Sequence, residues 1–550
     1  MANKLRSFSM LLLISVTLLL NFQCIPCESS SGAKILFYFA WSSYSNKLAV
    51  WPLVEKLAER NHSITFLSPH LPIIPPIPRV TEFRPKGLVK YFRQHEETLF
   101  RDLISLKIKA QREGESLKDP REAMTVEACG VTFKSVEFKP WIEGTKFDLV
   151  VIDSPNNECG MAVSLKLKAP FIFYTASGSL EPWQAEVFGI HDERLPEIVD
   201  GMVKKPNVIE RLVHNLSPVW SYYARAYYLL PKLEKISKKW LELPTIPSFT
   251  ELEKNASLVL HNGHTSVEAG KQLPGFFIPV GGMRCSSSKE VLSDDLAKFL
   301  TEKGQDGFIY INFGTMVDFY KAPDVVVTKF FDALRNVNMP ILWKWGSKAM
   351  PANAPENVFF ASWIPQNAVL GHKMLKVFIY HGGPLSTQEA IYHGVPVIVF
   401  PLTIEGDRQA KIVEHFGIGI KLDVALFTQY ELTTSIRNIL KDNSYRKKAI
   451  KLSALYKDRS QDPKVTAVWW IEYVLRHQGA YFLKPQSTYL QWHQRRLLDA
   501  WGLLILSTVL SIVVFIKLVK FCSWGKSKPV QTPAQGKKQH SYLKGKDKLS

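Results

Sequence analysis

Short apolar runs that alternate with amphipathic stretches restrict the fold of this chain more than any other feature of its sequence. Such runs predict buried strands, and the stretches between them predict helices. Near the N-terminus they predict strands at 34–40, 64–67, 147–152 and 170–175, with a helix at 48–60. Strands that alternate with helices form a parallel sheet covered on both faces, so the sequence predicts an α/β fold.

The same alternation starts again after the glycine pair at 281–282. Five more runs predict strands there: 308–312, 340–345, 358–360, 377–380 and 396–400. Two doubly wound, Rossmann-like units in one chain predict a ligand site in the cleft where the carboxyl ends of their strands face each other. We therefore expect two domains, 28–285 and 286–480.

Both ends of the chain carry signals for membranes. Lys4 and Arg6 precede an apolar stretch at 10–20, which is the layout of a secretory signal peptide, and we assign 1–27 to it. The apolar run 497–516 has few polar interruptions. It is long enough to cross a hydrocarbon core of about 30 Å, and a buried core helix is the alternative.

The lysine-rich tail favours the membrane span. Seven lysines and one acid lie between Lys526 and Lys548, and such clusters collect on the cytoplasmic side of a membrane. We predict one transmembrane helix at 497–520, a cytosolic tail at 521–550 and a lumenal body, a single-pass type I arrangement. Lys546 and Lys548 also resemble a dilysine retrieval signal, which implies the endoplasmic-reticulum membrane.

Three sequons are consistent with a lumenal body. They predict glycosylation at Asn61, Asn215 and Asn255.

Composition excludes two classes of protein. The predicted lumenal part keeps three cysteines after signal cleavage, which permit at most one disulfide, so the chain is no disulfide scaffold: Cys129, Cys159 and Cys285. The net charge of +19 lies partly in the tail, and no basic residues interleave with aromatic residues in a nucleic-acid motif. We expect no nucleic-acid partner, and the sequence leaves homo- or hetero-oligomers open.

An aromatic stretch at 220–233 contains four tyrosines, Tyr222, Tyr223, Tyr227 and Tyr228. Tyrosines of this kind wall pockets for apolar molecules, lean on membrane surfaces or fill a core helix. The residues alone leave these three alternatives open.

The segment 363–409 carries most of the chemistry. The predicted strand 377–380 runs into the sequence His-Gly-Gly at 381–383, and a helix is predicted to open near Ser386. Glycines let the backbone approach a ligand, and a helix N-terminus presents free amides and partial positive charge to phosphate. This segment therefore predicts an anion site at a strand end.

Side chains around this turn suit a nucleotide sugar. His381 can donate to phosphates, and Glu389 can accept from vicinal hydroxyls such as those of ribose. Trp363 offers a flat face for a base, and Gln366 offers a donor and an acceptor to the base edge. Thr315 follows a predicted strand end, where a hydroxyl and a nearby amide can cradle phosphate.

Together these residues resemble the donor signature of the UDP-glycosyltransferase family, in the animal branch that includes the UDP-glucuronosyltransferases and with an arthropod-like character. The similarity extends over nearly the whole chain, with matches at 52–69, 312–315, 363–401 and 467–476. It implies a GT-B fold, in which two Rossmann-like domains face a cleft. The second domain would hold the UDP-sugar and the first the acceptor.

The resemblance also implies roles for single residues. Trp363 and Gln366 would contact uracil, and Glu389 would contact ribose. The residues expected around the diphosphate are Thr315, His381, Gly383 and Ser386.

The catalytic positions depart from the family. Its members typically use a histidine as general base, oriented by an aspartate at the end of a later strand. Here Asn46 takes the place of the histidine, and an amide cannot act as a general base, whereas Asp153 keeps the partner position. Asn61 stands where relatives tend to have glycine, and asparagine tolerates the left-handed backbone geometry of such a turn.

The segment expected to contact the sugar departs as well. The family has an acidic residue followed by glutamine after the last proline of the signature. An ungapped alignment to Gly417 puts Glu405 on the acid and Gly406 on the glutamine. A shift of two residues would use Asp407 and Gln409 instead.

These features predict an inverting UDP-glycosyltransferase that moves a glucuronosyl or glucosyl group from a UDP-sugar to a small lipophilic acceptor. No metal-ligand motif is visible in the sequence, so we expect no cofactor beyond the UDP-sugar as co-substrate. Because Asn46 is no base, Asp153 or another group takes the proton, or Asn46 only positions an acceptor that needs little deprotonation. The donor sugar stays open. A family member that binds UDP-sugar, a ligand or a partner without turnover is the alternative.

Overall fold

The structure is a computed structural model. It describes residues 32–95, 103–113, 121–178, 181–190, 198–199, 202–203, 207–267, 273–286, 292–315, 317–346, 351 and 353–524. The predicted signal peptide at 1–27 and the lysine-rich tail from 525 onward lie outside these residues. The chain divides into two compact units, a body that ends at Tyr489 and a C-terminal unit that starts at Leu490.

The first half of the body is built on a seven-stranded parallel sheet with the strand order β3-β2-β1-β4-β5-β8-β9. A short antiparallel hairpin, β6 and β7, lies between β5 and β8 in the chain. The strands are β1 Lys34–Tyr38, β2 Ser63–Leu67, β3 Val80–Phe83, β4 Leu149–Asp153, β5 Phe171–Thr175, β6 Ile198–Val199, β7 Met202–Val203, β8 Val259–His261 and β9 Phe277–Pro279.

The second half is built on a six-stranded parallel sheet with the order β12-β11-β10-β13-β14-β15. Its strands are β10 Phe308–Asn312, β11 Ile341–Lys344, β12 Val358–Ala361, β13 Leu375–Tyr380, β14 Val397–Val399 and β15 Gly419–Lys421. We call the two halves the first and second lobe. The α/β fold with two Rossmann-like sheets is therefore confirmed.

Helices cover both sheets. Those that follow the strands of the first lobe are α1 Tyr44–Glu59, α2 Lys86–His95, α3 Leu103–Arg112, α4 Arg121–Lys134, α5 Phe138–Gly144, α6 Cys159–Leu167, α7 Pro182–Phe188, α8 Val208–Ala224, α9 Leu230–Trp240 and α10 Phe249–Glu253. Those that follow in the chain are α11 Asp294–Glu302, α12 Asp324–Arg335, α13 Gln366–Leu370, α14 Pro384–His393, α15 Ile404–His415, α16 Gln429–Lys441, α17 Ser444–Lys457 and α18 Pro463–Arg476.

All nine strands predicted from apolar runs are present, and the helix predicted at 48–60 is α1. Four strands of the sheets were not predicted: β3, β8, β9 and β15. Three of them have only three residues each, and β3 is partly exposed. The short apolar runs 258–260 and 276–278 do mark β8 and β9, since they are as long as the run 358–360 that predicts β12. Asn61 has the left-handed geometry expected of it, with φ 68°.

The sheet order decides what meets at the cleft. Strand β1 lies between β2 and β4, and all three run in the same direction. The residues that follow β1, those that follow β2 and the last residue of β4 therefore share one edge of the sheet. That residue is Asp153.

The lobes exchange segments. Helix α18 packs on the first lobe, where Ala467 and Ile471 are fully buried in its core. Glu472 of the same helix accepts hydrogen bonds from Arg60 and lies 3.3 Å from His62. In the opposite direction α3, which follows β3 in the chain, buries Ile104 in the core of the second lobe.

The cysteines and the aromatic stretch resolve alternatives that the sequence left open. Cys129 and Cys159 form a disulfide, and Cys285 is free. In the aromatic stretch Tyr227 and Tyr228 are exposed, whereas Leu229, Leu230 and Leu233 are buried in the core of the first lobe, so the segment packs as a core helix on one side only.

The C-terminal unit contains the short helix α19, Trp492–Arg495, and the long helix α20, Leu498–Trp524. The part Leu498–Ser523 has 26 residues and contains an 18-residue window with a mean hydropathy of 2.5. Among the residues that the structure describes, it is the one helix long and apolar enough to cross a membrane.

Candidate active site

An asparagine–aspartate pair occupies the cleft edge of the first lobe. Ser43 caps α1, because its Oγ accepts from the backbone N–H of Asn46 at 3.1 Å. This places Asn46 in the first turn of the helix, where its Nδ2 donates to Oδ2 of Asp153 at 2.9 Å. Ser43 Oγ also donates to Oδ1 of Asn46 at 2.9 Å, so the amide is held from both sides.

Asp153 is buried behind this pair. Its Oδ2 also accepts from Ser42 Oγ at 2.6 Å. Burial raises the pKa of the Asp153 carboxyl from 3.8 to about 7, although the hydrogen bonds from Ser42 and Asn46 oppose the rise. Asn157 bridges Asp153 and Trp41, because its Nδ2 donates to both backbone carbonyls.

The chemistry open to this pair follows from its hydrogen bonds. One N–H of the Asn46 amide is used by Asp153, and the other has no partner among the described residues. An amide nitrogen has no basic lone pair, so Asn46 can donate to an acceptor molecule and cannot take its proton. The pair can hold and orient a substrate oxygen.

The predicted anion site lies at the end of β13. Strand β13 ends at Tyr380, and α14 begins at Pro384, two residues earlier than predicted from Ser386. Gly383 is the N-cap and supplies no side-chain cap, so the first amides of α14 stay available to an anion. Gly382 has φ 81°, and a Cβ there would lie 2.8 Å from the Cα of Gly406, so this turn needs glycine.

Two polar atoms beside this turn are buried without a hydrogen-bond partner, Nδ1 of His381 and Oγ1 of Thr315. The imidazole of His381 lies between Gly314 and Gly383, where a Cβ would approach its ring to 2.6 Å and 2.7 Å respectively. Burial lowers the pKa of His381 to about 4, and the charge of Lys344 adds to this effect. Both atoms are therefore able to bond a ligand at this turn without losing a hydrogen bond of the free protein.

Gln366, Ser386 and Glu389 form one network. The Gln366 amide donates to Ser386 Oγ at 2.9 Å and to Glu389 Oε2 at 2.6 Å. Its oxygen accepts from Asn312 Nδ2 at 2.6 Å. The side chain of Gln366 is thus directed into the protein. Its contact with a base edge stays a prediction, and in this conformation the backbone of Gln366 would have to make it.

Trp363 and Arg284 flank this network. The indole of Trp363 is 57% exposed, which leaves a face for stacking. The Arg284 guanidinium lies 3.4 Å from Glu389 Oε1, and Arg284 was not predicted as a site residue. The one feature of the sequence that could have pointed to Arg284 is its position directly after the glycine pair at 281–282, where the second series of strands begins.

The segment 405–409 combines residues from both predicted registers. Gln409 donates to Glu405 Oε1 at 2.9 Å, one turn apart on α15. Asp407 points elsewhere, because it accepts from Lys421 at 2.9 Å and lies 3.5 Å from Lys107. Which of the two registers contacts the sugar stays a prediction. A Cβ at Gly406 would lie 3.0 Å from the carbonyl oxygen of His381.

Helices α14 and α15, which follow the predicted anion site, contact the first lobe. Gln388 of α14 donates to the backbone carbonyl of Asn262 at 2.6 Å and accepts from the N–H of Gly282 at 3.1 Å. Arg408 of α15 lies 3.5 Å from Glu181, at the start of α7. The two lobes therefore meet directly beside the anion site.

Of the predicted glycosylation sites, Asn61 and Asn255 are exposed. Asn215 lies in α8, and its side chain is outside the described residues.

Known proteins resemble this chain over nearly its full length. The family model described as "UDP-glucoronosyl and UDP-glucosyl transferase" matches residues 33–535. UDP-glucosyltransferase 2 of Dactylopius coccus is 28% identical over 515 residues, 92% of this chain and 94% of that protein. UDP-glucuronosyltransferase 1A3 of Rattus norvegicus is 26% identical, over 93% and 95% of the two chains.

Solved structures agree on the fold. The spinosyn forosaminyltransferase SpnP superposes with a TM-score of 0.54 at 18% identity and covers 81% of this chain and all of its own. The glycosyltransferase of kitacinnamycin gives 0.53 at 15% identity, with 82% and 99% covered. Both are glycosyltransferase structures, and the fold is GT-B. Because the family match spans both lobes and the anion site between them, this chain belongs to the UDP-glycosyltransferase family, hexosyltransferases that use UDP-sugars as donors.

Proposed function

We propose that this chain is a working transferase, which moves a hexosyl group with inversion from a UDP-sugar to a small lipophilic acceptor. One relationship carries the proposal. Burial raises the pKa of Tyr44, and the positive charge of Arg284 opposes that rise, so the two side chains are within electrostatic range. Tyr44 stands two residues before Asn46, and Arg284 contacts Glu389. The contacts of Gln388 with Asn262 and of Arg408 with Glu181 support the same closeness of the donor residues to the first lobe.

The donor would lie along the second lobe. The uracil ring stacks on Trp363, and the ribose hydroxyls donate to Glu389 after Arg284 or Gln366 gives way. The diphosphate meets the amides of α14 and the hydroxyl of Thr315, and Nδ1 of His381 joins them as a donor once it takes up a proton. These donors supply the positive potential that the leaving UDP needs, so we propose that no metal or further cofactor takes part.

The acceptor would lie against the first lobe. Asn46 donates its second N–H to the acceptor's oxygen, and Asp153 keeps the amide in position. Aromatic side chains beside this point favour an apolar molecule: Trp41 lies 5.4 Å from Phe92, ring centre to ring centre. The transfer breaks the bond from the anomeric carbon to UDP while the acceptor oxygen attacks the opposite face.

The setting we propose is the lumen of the endoplasmic reticulum. Helix α20 crosses the membrane, the body is lumenal and the lysine-rich tail is cytosolic. The exposed sequon residues Asn61 and Asn255 are compatible with this orientation.

A family member without turnover is the second candidate, and Asn46 is the observation that favours it. Such a protein would bind UDP-sugar through the second lobe and release no product.

Microsomes that carry the full chain decide between the two. They are incubated with UDP-glucose, UDP-glucuronate and other UDP-sugars, together with phenols, amines and steroids, and the products are identified by mass spectrometry. UDP binding is measured in parallel by calorimetry on the detergent-solubilised protein. We expect a conjugate with at least one sugar. UDP binding without any conjugate would instead support the second candidate.

A further inference from the structure

A histidine lies at the cleft edge next to the asparagine–aspartate pair. His70 comes three residues after the end of β2, so it shares the sheet edge with Ser42, which follows β1, and with Asp153, which ends β4. Its Nε2 lies 2.6 Å from the backbone carbonyl oxygen of Ser42. Ser42 in turn donates through its hydroxyl to Asp153. One residue thus connects His70 to the carboxylate that holds Asn46.

The contact with Ser42 determines where the proton of His70 is. A carbonyl oxygen can only accept a hydrogen bond, so Nε2 carries the hydrogen and Nδ1 keeps the lone pair. Nδ1 has no hydrogen-bond partner among the described residues. Burial lowers the pKa of His70 to about 4, against the hydrogen bond to Ser42 and helped by the charges of Lys47 and Arg84. The ring is therefore neutral at pH 7, the form that accepts a proton.

The surroundings of His70 fit an apolar acceptor. The imidazole meets the ring of Phe92 edge-on at 4.7 Å and the ring of Tyr44 at 5.6 Å, and Tyr44 is two residues from Asn46. The imidazole of His70 thus packs between two aromatic rings at the same sheet edge as the amide that we assign to the acceptor oxygen.

We propose that His70 is the general base that replaces the missing histidine at position 46. Asn46 donates to the acceptor oxygen, and the acceptor's O–H proton moves to Nδ1 of His70. The oxygen forms the new bond to the anomeric carbon, and UDP leaves with the electron pair of the broken bond. The proton on the imidazole then passes to solvent. This inference rests on the proposed transfer function.

The test compares wild type with His70→Gln, which can still donate to the Ser42 carbonyl and has no basic nitrogen. A general base contributes about 100-fold to 10,000-fold. We expect His70→Gln to lower kcat by at least about 100-fold with an aliphatic alcohol acceptor, and by less than about tenfold with an acidic nitrophenol, which needs little deprotonation. Adding Asn46→His should raise the kcat of His70→Gln by a factor at least about ten times larger than the factor by which it raises the kcat of wild type.

The matched control is His62→Gln. His62 is equally a buried histidine, but it precedes β2 at the opposite edge of the sheet, so this variant should keep wild-type kcat. UDP affinity, measured by calorimetry, should stay the same in every variant.

Two outcomes overturn the inference. If His70→Gln keeps kcat within about threefold of wild type for both acceptors, His70 is not the base. If His70→Gln also loses UDP affinity, that variant has not folded, and the comparison of Asn46→His with wild type decides instead. An increase of kcat by about 100-fold or more in Asn46→His shows that wild type has no base, which overturns the inference. An increase of less than about tenfold supports His70 as the base. Wild type that binds UDP and yields no product with any acceptor overturns the proposed function, and the inference with it.

Discussion

The side-chain amide of Asn46 donates to the same carboxylate oxygen of Asp153 that accepts from Ser42, at 2.9 Å and 2.6 Å. The two residues expected at the catalytic positions are thus joined by a hydrogen bond, although the amide cannot act as a base. A carboxylate that only holds an amide in place acts on orientation, so its removal should affect the transfer step and leave the donor site untouched.

Asp153→Ala should lower kcat about tenfold to 100-fold, because two buried donors lose their acceptor at a cost of about 1–3 kcal/mol each. UDP affinity should not change, since Asp153 belongs to the first lobe. Asp148→Ala is the control: Asp148 precedes the same strand at the opposite sheet edge, where it accepts from the Lys34 N–H at 2.7 Å. Equal losses of kcat in both variants would refute an orienting role for Asp153.

The same carboxyl should make stability depend on pH. The pKa of Asp153 rises on folding from 3.8 to about 7. A carboxyl of this kind contributes stability below its unfolded pKa and loses it as the pH rises through its folded pKa. Each unit is worth about 1.4 kcal/mol, so wild type should lose at most about 4 kcal/mol relative to Asp153→Asn between pH 3.8 and pH 8.

Chemical unfolding of both proteins in detergent across this range measures the difference. The pKa of Glu253 is also raised to about 7 by burial, but Glu253 is present in both proteins and cancels. A difference that does not vary with pH would show that Asp153 stays ionised.

Thr315→Val should separate ligand binding from stability. Oγ1 of Thr315 is buried without a partner, so the isosteric valine removes a group that the free protein does not use. The free energy of unfolding should fall by less than about 0.5 kcal/mol, while the affinity for UDP should drop about tenfold, the worth of a hydrogen bond to a charged group.

Thr387→Val is the control, and we expect it to lower the free energy of unfolding and to leave UDP affinity unchanged. The hydroxyl of Thr387 donates to the Gly383 carbonyl at 3.0 Å and bonds Tyr380 at 2.7 Å, so its loss should destabilise the protein by about 1 kcal/mol or more. If Thr315→Val instead destabilised the protein as much and left UDP binding unchanged, its hydroxyl would not face the diphosphate.

The elements that the sequence predicts well are those with strong local signals. Strands such as β10 and β13 are apolar along most of their length, because both faces of a parallel sheet are covered. The strands β8 and β9 have only three residues each, and they extend the sheet one after the other: β8 pairs with β5, and β9 pairs with β8. Long-range pairing, rather than local preference, decides these strands.

Site residues follow the same division. Trp363 and His381 could be singled out by residue type and spacing. The inward orientation of Gln366 could not, since it depends on Asn312, 54 residues away in the chain. The same holds for Arg284 beside Glu389 and His70 beside Ser42, which sheet order brings together across long stretches of sequence.

Trp363→Ala should weaken UDP binding about tenfold to 100-fold, because base–aromatic stacking is worth about 1–3 kcal/mol. The side chain is 57% exposed, so the fold should not depend on it. Trp363→Phe should keep most of the affinity, and Trp220→Ala, which removes a more exposed indole from α8, should keep all of it. Calorimetric titration with UDP measures all three. If Trp363→Ala kept the UDP affinity of wild type, the uracil ring would not stack on Trp363.

Glycans should report the orientation of the body. Asn61 and Asn255 are exposed, and each lies two residues before a serine, so a lumenal body should carry a glycan at both. Ser63→Ala and Ser257→Ala remove the sequons without disturbing the left-handed geometry at Asn61. Ser257→Ala should cost little stability, because the buried hydroxyl of Ser257 makes no hydrogen bond with the described residues. Each variant should lose one step of the mobility shift that endoglycosidase H removes from the wild type. A wild type with no such shift would argue against the lumenal orientation, because N-glycans are added only in the lumen.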